Sequence, residues 1–266
     1  MDGTLAIIGT GQLGGALLRG LTRSGTVPAD RIVATDPRVD ALERLAAEHG
    51  VRTDTDNRAA VAEADVVVLA VKPQVMAAVL PDLADLRPGA VVISLAAGVK
   101  LATLESGLPD GAAVVRVMSN TPVQVDRAMS VIAAGRHASE EHLRTTEDLL
   151  RPVGAVLRLD EHHLDAVTAL SGSGPAYVFL LAEAMIDAGV LLGLPREVAV
   201  QLTTQTLLGA STLLDASDEP AAGLRAAVTS PGGTTAAALQ VFEQRGLRAA
   251  VLDALGAAAA RSRELG

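Results

Sequence analysis

The feature that most constrains the fold is a rhythm. From the start of the chain to about Leu159, short β-branched runs alternate with stretches of helical spacing. The runs are Leu5–Ile8, Arg31–Thr35, Val66–Val71, Ala90–Leu95, Val114–Val117, Ser130–Ala133 and Ala155–Leu159. Strands alternating with helices predict a mostly parallel, doubly wound sheet covered on both faces, an α/β fold. Val66–Val71 has no polar alternation and reads as a central strand, buried on both sides. After about Asp160 the pattern changes, and Ala and Leu recur at helical spacing with Gly and Pro only as punctuation. Two domains are expected, 1–160 and 161–266, and a length of 266 residues suits two.

The first strand runs straight into Gly9-Thr10-Gly11-Gln12-Leu13-Gly14, which opens a helix-like segment, Gln12–Ser24. This is the context a dinucleotide-binding glycine loop requires, and it makes the sheet Rossmann-like. Gly9 permits the tight turn, Gly11 lets the backbone approach a pyrophosphate, and Gly14 lets helix and strand pack closely. The free amides of the helix N-terminus hold the negative charge. The second strand ends at Asp36, about 20 residues beyond the last glycine, where an acidic side chain accepts hydrogen bonds from an adenosine ribose and favours NAD. Two residues on, Arg38 suits the 2′-phosphate of NADP, so the pair pulls in opposite directions. Lys72 and Lys100 are the only lysines. Lys72 closes the central strand at the edge where open α/β sheets bind ligands, which marks Ala70-Val71-Lys72-Pro73 as a candidate cofactor turn, with an exposed lysine at a loop start as the plainer alternative.

Composition removes whole classes of function. With no cysteine there are no disulfides, thiolate metal sites or cysteine nucleophiles, which agrees with a reducing cytoplasm. Thirty-one acidic against 22 basic residues, with Tyr177, Phe179 and Phe242 as the only aromatics, leave neither a basic face nor a stacking platform for nucleic acid. The longest apolar stretch, Ala176–Leu194, is interrupted by Glu183 and Asp187, so it reads as a helix buried in a large core or between subunits rather than a membrane span. A first strand beginning near Thr4 leaves no room for a removable leader, and a cytoplasmic location is expected. The histidines lack metal-pair spacing, so no metal is expected, and no carboxylate pair lies in a setting that would raise its pKa. The absence of a strong general base favours reduction of an already protonated C=N bond over oxidation of an alcohol.

In the helical half, two clusters precede helix-like segments: Ser171-Gly172-Ser173-Gly174-Pro175 and Ser230-Pro231-Gly232-Gly233-Thr234-Thr235. At the second, backbone amides and the hydroxyls of Ser230, Thr234 and Thr235 converge on the start of a helix near Ala236, a site for a carboxylate that needs no Lys or Arg. Ordinary N-capping by Thr234 or Thr235 is an equal alternative from spacing alone.

Together these segments resemble the pyrroline-5-carboxylate reductase family. The resemblance is carried by Gly9–Gly14, Ala70–Pro73, Ser94–Gly98, Val115–Pro122, Asp165–Tyr177 and Leu224–Ala236, in family order over nearly the whole chain. It implies reduction of Δ1-pyrroline-5-carboxylate to L-proline, the last step of proline biosynthesis, with NADP as cofactor and NAD possible. It also implies a helical domain interlocking two subunits, often within larger rings of dimers, and an active site between the domains. By position, Asn57, Ala70, Lys72, Pro73, Ala96 and Ala97 match residues lining the family's cofactor cleft. Ser230, Thr234 and Thr235 match its clamp on the substrate carboxylate, with the Thr235 hydroxyl facing the ring nitrogen. Ser119 departs from the proline many members carry there. A reductase of another cyclic imine carboxylate, or a non-catalytic nucleotide sensor, are the alternatives.

Overall fold

The computed structural model describes residues 3–266. Two compact units partition the chain: Met1–Ser173 together with Ala258–Gly266, and Gly174–Ala257.

The first unit is built on an eight-stranded sheet: β1 (Leu5–Ile8), β2 (Ile32–Thr35), β3 (Arg52–Asp54), β4 (Val66–Leu69), β5 (Val91–Ser94), β6 (Ala113–Met118), β7 (Ala128–Ala134) and β8 (Gly154–Arg158). Its order is β3-β2-β1-β4-β5-β6-β7-β8. Every pairing is parallel except β6 with β7. The stretch between those two strands holds only a short turn around Thr121–Val125, too little chain for the crossover a parallel pair would need. Helices α1 (Gln12–Ser24), α2 (Val39–His49), α3 (Asn57–Glu63), α4 (Met76–Val79), α5 (Leu101–Ser106), α6 (Glu140–Leu150) and α7 (Leu164–Val167) complete the unit up to residue 173.

Side chains alternate across a strand, so an all-apolar strand must find cover on both faces. β1 shows how this is met. Leu5 and Ile7 join one core cluster with Leu17, Leu21, Ile93 and Leu149, while Ala6 and Ile8 join the other with Leu69, Leu83 and Leu104. β4 lies between β1 and β5, as expected of a central strand, but it stops at Leu69. Lys72 has therefore left the sheet and precedes a short 3-10 turn, Pro73–Val75. β3 has no counterpart in the sequence reading, because Arg52-Thr53-Asp54 is polar, three residues long and at the sheet edge.

The departure at Ser119 is accommodated locally. Its Oγ accepts a 2.9 Å hydrogen bond from Ser130 Oγ on β7, and Ser130 is almost fully buried. Ser119→Ala strands that hydroxyl and is expected to cost about 1–2 kcal/mol in chemical denaturation. The double variant with Ser130→Ala recovers most of the loss, and a single variant as stable as wild type would dismiss the bond.

The second unit contains α8 (Gly174–Leu191), α9 (Arg196–Ala216), α10 (Ala221–Ala227), α11 (Thr234–Gln244) and the first part of α12 (Leu247–Leu265). The cluster at Ser171–Pro175 does not interrupt the helical run as the sequence suggested. Thr168–Gly172 forms a π-helical turn that leads into α8. α8 and α9 form a hairpin through Gly193, at φ +95°, and Gly189 lies so near Ala199 that an added Cβ would stand 3.1 Å from its methyl group. Ala199 and Thr203 are the only buried residues of this unit among those described. Phe179, Leu180, Leu191, Leu192, Leu208 and Leu213 are exposed. In the single chain α8 is thus uncovered, and the continuous helical stretch Glu161–Leu191 is long and apolar enough to cross a membrane by length and composition.

Candidate functional site

The chain runs one way from β1 to β2 and the other way to β4, which makes the carboxyl ends of β1 and β4 the switch point of the sheet. The glycine loop occupies it. Gly9 has φ +95°, and a Cβ there would stand 2.9 Å from the Ala70 carbonyl oxygen. A Cβ on Gly14, which is buried in α1, would overlap the Gly9 carbonyl. Gly11 has open space around its Cβ direction, with no atom within 4 Å, and is the N-cap of α1 without a side-chain cap. One glycine thus serves the turn, one the packing, and one leaves room outside. The uncapped amides at the start of α1, with no acidic residue in the first turn, fit a pyrophosphate. Gln12 is exposed and its Oε1 accepts from Gln124, while Leu13 packs on the core.

β2 ends one residue before Asp36, whose side chain turns back toward the loop. Asp36 Oδ2 accepts from Thr10 N–H at 3.0 Å and from Thr10 Oγ at 2.8 Å. Arg38 donates to the same carboxylate from its backbone N–H, Nε and Nη2. Burial alone would raise the Asp36 pKa, but the Arg38 side chain, the two backbone N–H groups and the Thr10 hydroxyl outweigh it and hold the carboxyl well below the usual range. Nearby, Asn57 opens α3, accepts from Thr35 Oγ at 2.6 Å and donates to Asp82 at 2.9 Å.

The loops after β4 and β5 complete this edge. Ala70 N–H donates to the Ile8 carbonyl, so the turn Ala70–Pro73 is laced to the end of β1. Lys72 and Pro73 are exposed and Val71 is half-buried. Ala96 is buried in the core and offers the edge only its backbone, whereas Ala97 is exposed. Pro73 and Ala97 line a cavity of about 440 Å³, together with Gly98, Thr168, Ser173 and Arg261. Sequence reasoning gave the last four no role. The final segment of α12 forms part of this wall, pinned by Ser262 Oγ donating to Asp165 at 2.7 Å.

The second cluster singled out in the sequence, Ser230–Thr235, lies in the other unit. Ser230-Pro231-Gly232-Gly233 has the marks of a type II turn: proline second, a glycine at φ +68° third, and Gly233 N–H donating to the Ser230 carbonyl at 3.0 Å. α11 begins at Thr234, two residues earlier than expected, with Gly233 as N-cap and no side-chain cap. The N-capping alternative for Thr234 and Thr235 is therefore not what the chain adopts. Its first intrahelical bond runs from Ala237 N–H to the Gly233 carbonyl, so the amides of Thr234, Thr235 and Ala236 have no partner within the helix. Ser230 Oγ sits directly over the Cα of Gly233, in the space a Cβ would fill.

Among the described residues no group of three or more His, Cys, Asp or Glu is gathered for a metal ion.

Residues 161–265 match the family model described as pyrroline-5-carboxylate reductase dimerisation, and residues 4–98 match that of NADP oxidoreductase coenzyme F420-dependent. A pyrroline-5-carboxylate reductase of Pseudomonas aeruginosa is 46% identical over 263 residues, covering 98% of this chain and 96% of the relative. The solved pyrroline-5-carboxylate reductase of Coxiella burnetii superposes with a TM-score of 0.96 at 38% identity, over 100% of this chain and 99% of the other. The pyrroline carboxylate reductase of Plasmodium falciparum, solved with NADP bound, gives 0.89 at 29% identity, over 100% and 98%.

Proposed function

The chain belongs to the pyrroline-5-carboxylate reductase family, and from that premise we infer that it reduces Δ1-pyrroline-5-carboxylate to L-proline with NAD(P)H. The observation that carries the reading at the substrate end is the uncapped start of α11 behind the Pro231-Gly232 turn. A carboxylate is the ligand such a cluster of unpaired amides and a helix dipole favours.

The reduced nicotinamide, when bound, supplies the hydride. The chain's own part is to bind and orient. The amides of Thr234, Thr235 and Ala236, behind the Gly233 N-cap, with the Ser230 and Thr234 hydroxyls hold the substrate carboxylate, and the Thr235 hydroxyl hydrogen-bonds the ring nitrogen. Hydride addition to a protonated imine needs no general base. At the cofactor end, Gly9, Gly11 and Gly14 shape the phosphate loop, and Asn57, Ala70–Pro73 and Ala96–Ala97 line the cleft. Lys72 is exposed at the start of the turn after β4. Lys72→Ala is expected to raise the cofactor KM severalfold with kcat little changed; an unaltered KM would make it an ordinary surface lysine.

The exposed apolar faces of α8 and α9 meet those of a second copy, giving a homodimer and rings of such dimers. Lipid is the poorer cover, because Glu183 and Asp187 would each cost about 2.5–3.5 kcal/mol near a bilayer centre. Residues 1–160 then bind the cofactor, 161–266 serve the substrate and the dimer, and the enzyme works in the cytoplasm.

The test is consumption of NADPH and NADH with pyrroline-5-carboxylate and with a six-membered cyclic imine carboxylate. Proline formation with preference for the five-membered ring is the expected result. Preference for the larger ring, or cofactor binding without turnover, would overturn it.

A further inference from the structure

An acidic residue about 20 positions beyond the glycine loop ordinarily accepts hydrogen bonds from the adenosine ribose. Asp36 stands at that position with its oxygens already taken. Five donors reach them: the Thr10 N–H and hydroxyl, and the Arg38 N–H, Nε and Nη2. A carboxylate offers about four lone-pair sites, so a ribose hydroxyl would have to displace a bond rather than fill a gap. Exposure points the same way, since the Asp36 side chain is 6% exposed and that of Arg38 is 58% exposed.

Resting on the dinucleotide reading above, we propose that Asp36 is a positioning residue, bracing the glycine loop through Thr10 and aiming Arg38, and that Arg38 selects a 2′-phosphorylated cofactor. Asp36 engages Nε and one Nη2 hydrogen of the guanidinium fork. Three of its five N–H donors stay available, enough for a bidentate grip on phosphate. Asp40 is the other acidic group near Arg38, and it pairs with Arg44 at 3.4 Å. The carboxylate that the sequence pattern would assign to NADH thus holds the arginine that favours NADPH.

Calorimetric titration with adenine nucleotides tests this without turnover. In the wild type, 5′-AMP and 2′-deoxy-5′-AMP are expected to bind within about twofold of each other, because the Asp36 oxygens are already taken. 2′,5′-ADP is expected to bind roughly tenfold tighter or more, the usual scale for charge-assisted hydrogen bonds. Arg38→Ala removes that gain, and Asp36→Asn leaves the ratio of AMP to its deoxy form at one. A tenfold loss on removing the 2′-hydroxyl, abolished by Asp36→Asn, would make Asp36 the ribose acceptor and overturn the proposal alone. Equal affinity for 2′,5′-ADP and 5′-AMP would overturn the role of Arg38. Failure of every one of these nucleotides, and of NADH and NADPH, to bind would overturn the dinucleotide reading with it.

Discussion

Replacing Thr235 with alanine is expected to lower kcat/KM for pyrroline-5-carboxylate by roughly a hundredfold or more. Removing one positioned hydrogen-bonding group from a reacting centre costs on the order of 2.7–4 kcal/mol in other enzymes. The structure makes the substitution a clean one. Thr235 is the second residue of α11, behind a Gly233 N-cap that makes no side-chain bond, so its hydroxyl is not needed to start the helix. Alanine favours helix and leaves the Thr235 amide in place. The carboxylate grip should therefore survive while the contact with the ring nitrogen is lost, and kcat should fall more than the substrate KM rises. Thr235→Ser restores the hydroxyl and should recover most of the rate. A Thr235→Ala enzyme with near-normal kcat/KM would remove this hydroxyl from the mechanism.

The second large effect is expected at Gly14. A methyl group there overlaps the Gly9 carbonyl and stands 2.9 Å from the Ala70 Cβ, so Gly14→Ala must push α1 off the sheet or open the turn at Gly9. Overpacking of this kind costs about 1–3 kcal/mol, and the displaced loop should lower cofactor affinity at least tenfold, since misplacement by about 1 Å is enough for such losses. Gly11→Ala is the informative contrast. Its φ is −66° and nothing lies within 4 Å of the added methyl, so stability should stay within about 0.5 kcal/mol of wild type while cofactor affinity still falls. Thermal denaturation with and without NADPH separates the two. If Gly11→Ala bound cofactor normally, the phosphates would not approach that residue.

The centre of the sheet was legible because β1, β4 and β5 are buried on both faces and so carry apolar runs. β3 was not, since an edge strand of three polar residues has no periodicity to read. Three glycine functions were readable from spacing, and for two of them, at Gly9 and Gly14, the structure supplies the carbonyl that excludes a side chain. The balance between Asp36 and Arg38 was not readable: the residues were visible, but the sign of their effect depends on which way the carboxylate turns, and that is fixed by Thr10. The cluster at Ser230–Thr235 read equally well as a carboxylate site or as ordinary N-capping by a threonine, and spacing could not show that Gly233 caps the helix instead. The cavity wall at Arg261 and Ser262 could not be anticipated, because it brings together residues nearly a hundred positions apart, such as Ser262 and Asp165.

Ala199 and Thr203 are the only residues that segment 174–257 buries fully in the isolated chain. If this segment folds against a second copy, as proposed, mass action enters its melting: dilution should lower the transition temperature, and samples compared at unequal protomer concentrations will differ in apparent robustness even when their sequences are identical.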